Sequence, residues 1–212
     1  MSVPSHKASV AHLVEQLRTL YPDAKYELNW ETPFQLLVAT ILAAQCTDER
    51  VNRVTATLFP RYPGPAEFVA APLEELQEAV KPTGFFRQKA KTVQAVSRAL
   101  LDRFGGEVPP RMEDLVSLPG VARKTANVVL TTAFRIPAGI IVDTHVKRVS
   151  QRMGLTESDD PEEIEQELMQ KLPRDTWCFF GPAMVLHGRY TCTARKPDCE
   201  HCALRPGCAE KI

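Results

Sequence analysis

Leu118-Pro119-Gly120-Val121-Ala122-Arg123-Lys124-Thr125-Ala126-Asn127 predicts two helices joined by a tight turn. Pro119 and Gly120 end a short helix, Met112 to Ser117, and Ala122 starts a second that carries Val128, Val129 and Leu130 to about Phe134. That is a helix-hairpin-helix. Gly120 supplies backbone angles other residues resist, and the peptide N–H groups at the start of the second helix stay uncovered. Those donors and the positive end of the helix dipole suit a phosphate oxygen. Lys124, on the first turn, projects its amine toward the same anion. An ordinary αα-hairpin with a surface lysine has the same local pattern.

Charge narrows the partners. The 212 residues hold 26 Lys plus Arg and 26 Asp plus Glu, so a basic coat over the whole surface is excluded and any nucleic-acid contact is local. Basic side chains cluster at Arg87, Lys89 and Lys91, at Arg123 and Lys124, at Lys147, Arg148 and Arg152, and at Arg189, Arg195, Lys196 and Arg205. Acidic ones gather between Glu157 and Glu167. No apolar run is long enough to span a membrane, and Met1 to Lys7 lacks the apolar core of a signal peptide, so a cytoplasmic protein is expected. In that compartment cysteines serve more often as thiols or metal ligands than as disulfides.

The periodicity is helical throughout and predicts an all-α fold. Val10, Leu13, Val14, Leu17 and Leu20 mark a first amphipathic helix. Thr32-Pro33-Phe34-Gln35 joins a capping pair to a proline at the first helical position and opens a nearly all-apolar, hence buried, helix through Leu42. Gln45 follows it, either satisfying a buried backbone group or facing outward; Thr47 or Asp48 caps the next helix. Helices are expected at Pro65 to Ala70 and Pro72 to Val80. Phe85 and Phe86 then stand beside Arg87, Lys89 and Lys91. Two adjacent aromatics cannot both face the core from one turn, so one is exposed, as a packed loop anchor or as a wedge into a base stack. Asp143 is the expected N-cap of a helix from Thr144, and the helix N-terminus favours its anionic form. Asp160 opens a helix with solvated acids, and Asp175 is expected to cap the last long one. Cys46 and Cys178 are expected as core thiols.

Cys192-x6-Cys199-x2-Cys202-x5-Cys208 closes the chain. Four thiolates this close wrap one metal centre, and the loose six- and five-residue spacers suit an iron-sulfur cube better than structural zinc. A non-catalytic DNA-binding module with a hairpin and a zinc site also accounts for the turn and the cysteines; it leaves Lys124 and Asp143 unexplained.

With the hairpin, the Val142-Asp143-Thr144-His145 step and the four cysteines together, the chain resembles the endonuclease III family of DNA glycosylases over essentially its whole length. The resemblance implies a two-domain helix-hairpin-helix DNA glycosylase fold with a C-terminal [4Fe-4S] cluster loop. Residues 26–136 would form a six-helix domain, and 1–25 plus 137–212 the iron-sulfur cluster domain. The active site would lie in the cleft between them. It implies a bifunctional DNA glycosylase and AP lyase of base excision repair, acting as a monomer on double-stranded DNA with a damaged base or abasic site, cytoplasmic and nucleoid-associated. Lys124 would attack the sugar C1′ and Asp143 would stabilise the sugar cation. Gln45 would fill the gap left by the flipped base, and Phe85 would wedge beside the orphan partner. Gly120, Ala122, Arg195 and Lys196 would contact DNA, and Cys192, Cys199, Cys202 and Cys208 would hold a [4Fe-4S] cluster. A free lysine near pKa 10.4 is neutral in only about one molecule in a few thousand at pH 7, so partial burial, the dipole and Arg123 are expected to depress it. Lys124, with a chain that stops four residues after Cys208, points to oxidised pyrimidines rather than the adenine branch. The family usually has a second glycine where Ala122 stands, and a leucine-aromatic pair where Phe85-Phe86 stands.

Overall fold

The computed structural model describes residues 6–210; residues 1–5, on which the expectation of no signal peptide partly rests, lie outside them. Among the described residues no strand occurs. Eleven α-helices follow in order: α1 His6–Leu20, α2 Pro33–Leu42, α3 Asp48–Arg61, α4 Pro65–Ala70, α5 Leu73–Val80, α6 Phe86–Phe104, α7 Met112–Val116, α8 Arg123–Thr132, α9 Thr144–Arg152, α10 Pro161–Lys171 and α11 Trp177–Tyr190. No helix is long and apolar enough to cross a membrane. The chain divides into two compact units, Glu27–Ile136 and Met1–Tyr26 with Pro137–Ile212.

The first unit is built on α2. Leu36, Leu37, Val38, Ala39 and Leu42 are wholly buried, as an apolar helix of this kind requires, and α3, α6 and α8 pack on it. Each such Leu or Val side chain contributes roughly 1.5–3 kcal/mol on burial. The start of α2 is capped on both sides of the chain: Thr32 Oγ1 accepts from the Gln35 N–H at 3.2 Å, and Gln35 Oε1 accepts from the Glu31 N–H at 2.8 Å. The reciprocal bond thus reaches one residue further back than in a standard capping box. Thr47, not Asp48, caps α3. α4 and α5 pack against α6.

In the second unit α11 packs on α9 and α1. Leu17, Ile140, Val146, Val149, Phe180 and Met184 fill its core. Asp160 caps α10, accepting from the Glu162 and Glu163 N–H groups at 2.9 and 3.0 Å. Two expectations fail here. Glu165 is buried, because α10 turns that position inward with Ile164 and Leu168. Asp175 lies inside a 3₁₀ turn, Arg174–Thr176, so Thr176 becomes the N-cap of α11.

Candidate active site

The hairpin turn forms because Val121 N–H donates to Leu118 O at 3.2 Å while both side chains are buried. Gly120 has φ +71°, and a Cβ there would sit 2.7 Å from Thr92 Cγ2 on α6, so both backbone and space require glycine. Ala122 has φ −78° and ψ 163°, ordinary extended geometry. Alanine is therefore unstrained where the family pattern has a second glycine. Its methyl side chain supplies no acceptor to cap the first N–H groups of α8. Arg123 and Lys124 are exposed on that first turn. The expected partial burial of Lys124 is absent from the protein itself.

Gln45 and Phe85 share an unusual backbone. Both are non-glycine residues in the left-handed region, with φ 54° and 47°. Each such residue costs roughly 1–3 kcal/mol unless its surroundings hold it there. Gln45 is exposed in the loop after α2, and Phe85, 66% exposed, is the N-cap of α6. Phe86 is half-buried, so the two aromatics divide as their adjacency demands.

Asp143 caps α9, its Oδ1 accepting from the N–H groups of His145 and Val146 at 2.8 and 2.9 Å. Both bonds use one oxygen, so Oδ2 takes no part in the cap. Asp143 is half-buried. The Tyr26 hydroxyl is buried without a hydrogen-bond partner among the described residues. Burial, then the Asp143 carboxylate and then Cys178 push this phenol well above its ordinary pKa. Gly181 makes room for it, since a Cβ there would meet Tyr26 Oη at 2.9 Å.

Cys192, Cys199, Cys202 and Cys208 line one pocket with Met153 and His187. All four are free, half-buried thiols. Burial raises the Cys202 and Cys208 thiols, backbone hydrogen bonds lower them, and the neighbouring cysteines raise them further. Among the described residues no three His, Cys, Asp or Glu side chains form a set for a single metal ion. Polar groups surround the sulfurs: Arg152 Nη1 donates to Cys192 Sγ at 3.4 Å, and Glu210 N–H donates to Cys208 Sγ at 3.4 Å. His187 Nε2 lies 3.7 Å from Cys202 Sγ, and burial lowers its pKa to about 4. Arg152 also holds the Thr193 and Ala194 carbonyls at 2.7 and 2.9 Å, which presents the exposed Arg195 and Lys196 just beyond them.

Residues 38–174 match the HhH-GPD superfamily of base excision DNA repair proteins. Endonuclease III of Synechocystis is 52% identical over 96% of this chain and 93% of its own length. Endonuclease III of Escherichia coli K12 is 40% identical over 97% of each. The chain belongs to the endonuclease III family. A solved structure of a trapped endonuclease III–DNA covalent intermediate superposes with a TM-score of 0.90 at 42% identity, covering 99% of this chain and 97% of that one. A thermostable thymine-DNA glycosylase, 21% identical, shares the fold with a TM-score of 0.86.

As an endonuclease III family member the chain uses its basic residues less freely than their clustering suggests. Lys89 is buried, its Nζ donating to Leu42 O and Thr83 O at 2.7 Å each. Burial lowers its pKa, and the nearby Cys46 opposes that shift. Arg148 donates to Gly188 O at 2.8 Å, and Lys147 to Asp159. Arg87, Lys91, Lys124, Arg195 and Lys196 stay exposed. Cys46 and Cys178 are half-buried rather than core thiols. Reading by residue type missed Tyr26 and Lys89. The orphan hydroxyl has no sequence signal; Lys89 had one, at helical spacing from the buried Val93 and Val96.

Proposed function

We propose that Lys124 is the attacking amine and Asp143 the supporting carboxylate of this family member, a DNA glycosylase and AP lyase of base excision repair. Substrate is double-stranded DNA carrying an oxidised pyrimidine or an abasic site, and the enzyme works as a cytoplasmic, nucleoid-associated monomer. The observation that carries the reading is the exposed Lys124 on the first turn of a helix whose preceding turn requires glycine.

The flipped base costs roughly a few kcal/mol of unstacking, less for lesions that stack poorly. The lysine lone pair forms a bond to C1′ while the C1′–N glycosidic bond breaks and the base leaves with the electron pair and a proton. Asp143 Oδ2, free of the cap, stabilises positive charge on the sugar and relays protons. Ring opening gives a Schiff base. Loss of a C2′ proton then expels the 3′ phosphate, and hydrolysis restores the amine. Because Lys124 is exposed in the protein, bound DNA must supply its desolvation.

The donor set of the cysteine pocket fits a [4Fe-4S] cluster. Four mutually close thiols would relieve their crowding by ligating it, and N–H donors already face two of the sulfurs. Held by four protein ligands, the cluster would organise the loop of Arg195 and Lys196 against DNA phosphates, with Gly120 and Ala122 at a second phosphate. Gln45 and Phe85 fill the gap and wedge the orphan base.

Borohydride trapping on a thymine glycol duplex tests this reading. Wild type gives a covalent adduct and Lys124→Ala none. No wild-type adduct on that duplex or on an abasic one would refute the lysine mechanism.

A further inference from the structure

We propose that Lys89 is a positioning residue that ties the Gln45 loop to the Phe85 turn, so that the two side chains enter DNA as one rigid unit. It rests on the reading of Gln45 and Phe85 as the groups that fill and wedge the duplex.

One ammonium group joins the two segments. Lys89 Nζ donates to Leu42 O, three residues before Gln45, and to Thr83 O, two residues before Phe85, each at 2.7 Å. The Leu42 carbonyl is one of the last in α2, where the helix supplies no partner. Lys89 also holds the turn from its own backbone, whose N–H donates to Phe85 O at 3.1 Å. The turn is thus gripped on both sides of Gly84. Thr83 is buried and its Oγ1 donates to Val80 O at 2.7 Å, so the carbonyl that Lys89 holds is itself fixed.

The backbone explains why a tie is needed. Gln45 and Phe85 are both left-handed non-glycine residues, and such conformations persist only where the surroundings over-determine them. Released, either segment relaxes toward a commoner geometry and re-aims its exposed side chain. A cation at 5% exposure is costly to bury, and the two carbonyls that accept from it offset that cost. Its spacing on α6 places it on the inward face with Val93 and Val96, so it was never a surface phosphate contact.

Single-turnover assays separate the roles. Lys89→Met keeps most of the stem and removes the donors. We expect its excision rate on a thymine glycol duplex to fall tenfold or more, while trapping on a preformed abasic duplex, with no base to extrude, changes less than threefold. In a Phe85→Ala background the same substitution should cost less than threefold more, and Lys89→Arg should recover most of the loss. Equal loss on both duplexes, or fully multiplicative effects with Phe85→Ala and Gln45→Ala, would overturn the tie. Unchanged excision in Phe85→Ala and Gln45→Ala would instead refute the wedge reading. Hydrogen exchange in the wild-type protein tests the tie without either: the bonded amides of Ala44, Cys46 and Gly84 should open together, with protection within about threefold, and a hundredfold spread would sink it.

Discussion

Gly120→Ala should destabilise the hairpin by two separable mechanisms. The alanine would hold φ near +71°, which costs an L-residue roughly 1–2 kcal/mol. Its Cβ would also press on Thr92 Cγ2 at 2.7 Å. Thr92 is β-branched on a helix and has one further constraint, Gln88 Nε2 donating to its Oγ1 at 3.3 Å, so it escapes only by leaving its rotamer, at about 0.5–1.5 kcal/mol. The total is about 1.5–3.5 kcal/mol. Urea unfolding followed by far-UV circular dichroism, with Thr92→Ser and the double variant alongside, resolves the parts. Thr92→Ser deletes the clashing methyl and should return about 1 kcal/mol of the loss while leaving the backbone part in place. The reasoning fails if Gly120→Ala costs under 0.5 kcal/mol or if the two substitutions are additive.

Asp143→Asn separates capping from chemistry. Asparagine caps about as well as aspartate, so stability should change by less than about 0.5 kcal/mol while base excision falls by roughly 10²–10⁴-fold; a folded variant with near-normal excision would remove Asp143 from the reaction. Tyr26→Phe deletes a buried hydroxyl with no hydrogen-bond partner among the described residues and should leave stability unchanged or raise it by about 1 kcal/mol at most. The sign with pH follows from its raised pKa. Above about pH 10 the unfolded phenol releases its proton and the folded one keeps it, so wild-type stability falls as pH rises there. Denaturant titrations at alkaline pH should show a shallower fall in the variant, and identical slopes would count against the burial of this group.

Local chemistry was legible from residue type and spacing. Proline and glycine placed the hairpin turn, Thr32, Asp143 and Asp160 announced their caps, and a nearly unbroken apolar run marked α2, because each depends on neighbours within one or two turns. The crowding of four cysteines in 17 residues marked their pocket for the same reason. Lys89 shows where that reasoning stops. Its neighbours in sequence are basic, yet its amine is claimed by carbonyls 47 and 6 residues away.

Tertiary structure alone decided which cations remain available and which glycines are obligatory. Lys147, Arg148 and Arg152 are spent on carbonyls and an acid of their own unit, whereas Arg195 and Lys196 stay exposed. Gly120 is required by a threonine on α6 and Gly181 by a tyrosine hydroxyl, neither adjacent in sequence. A periodic pattern reports which face of a helix avoids water. The buried hydrogen-bond partners of a long polar side chain, and the atoms that crowd a missing Cβ, come from segments brought together only by packing.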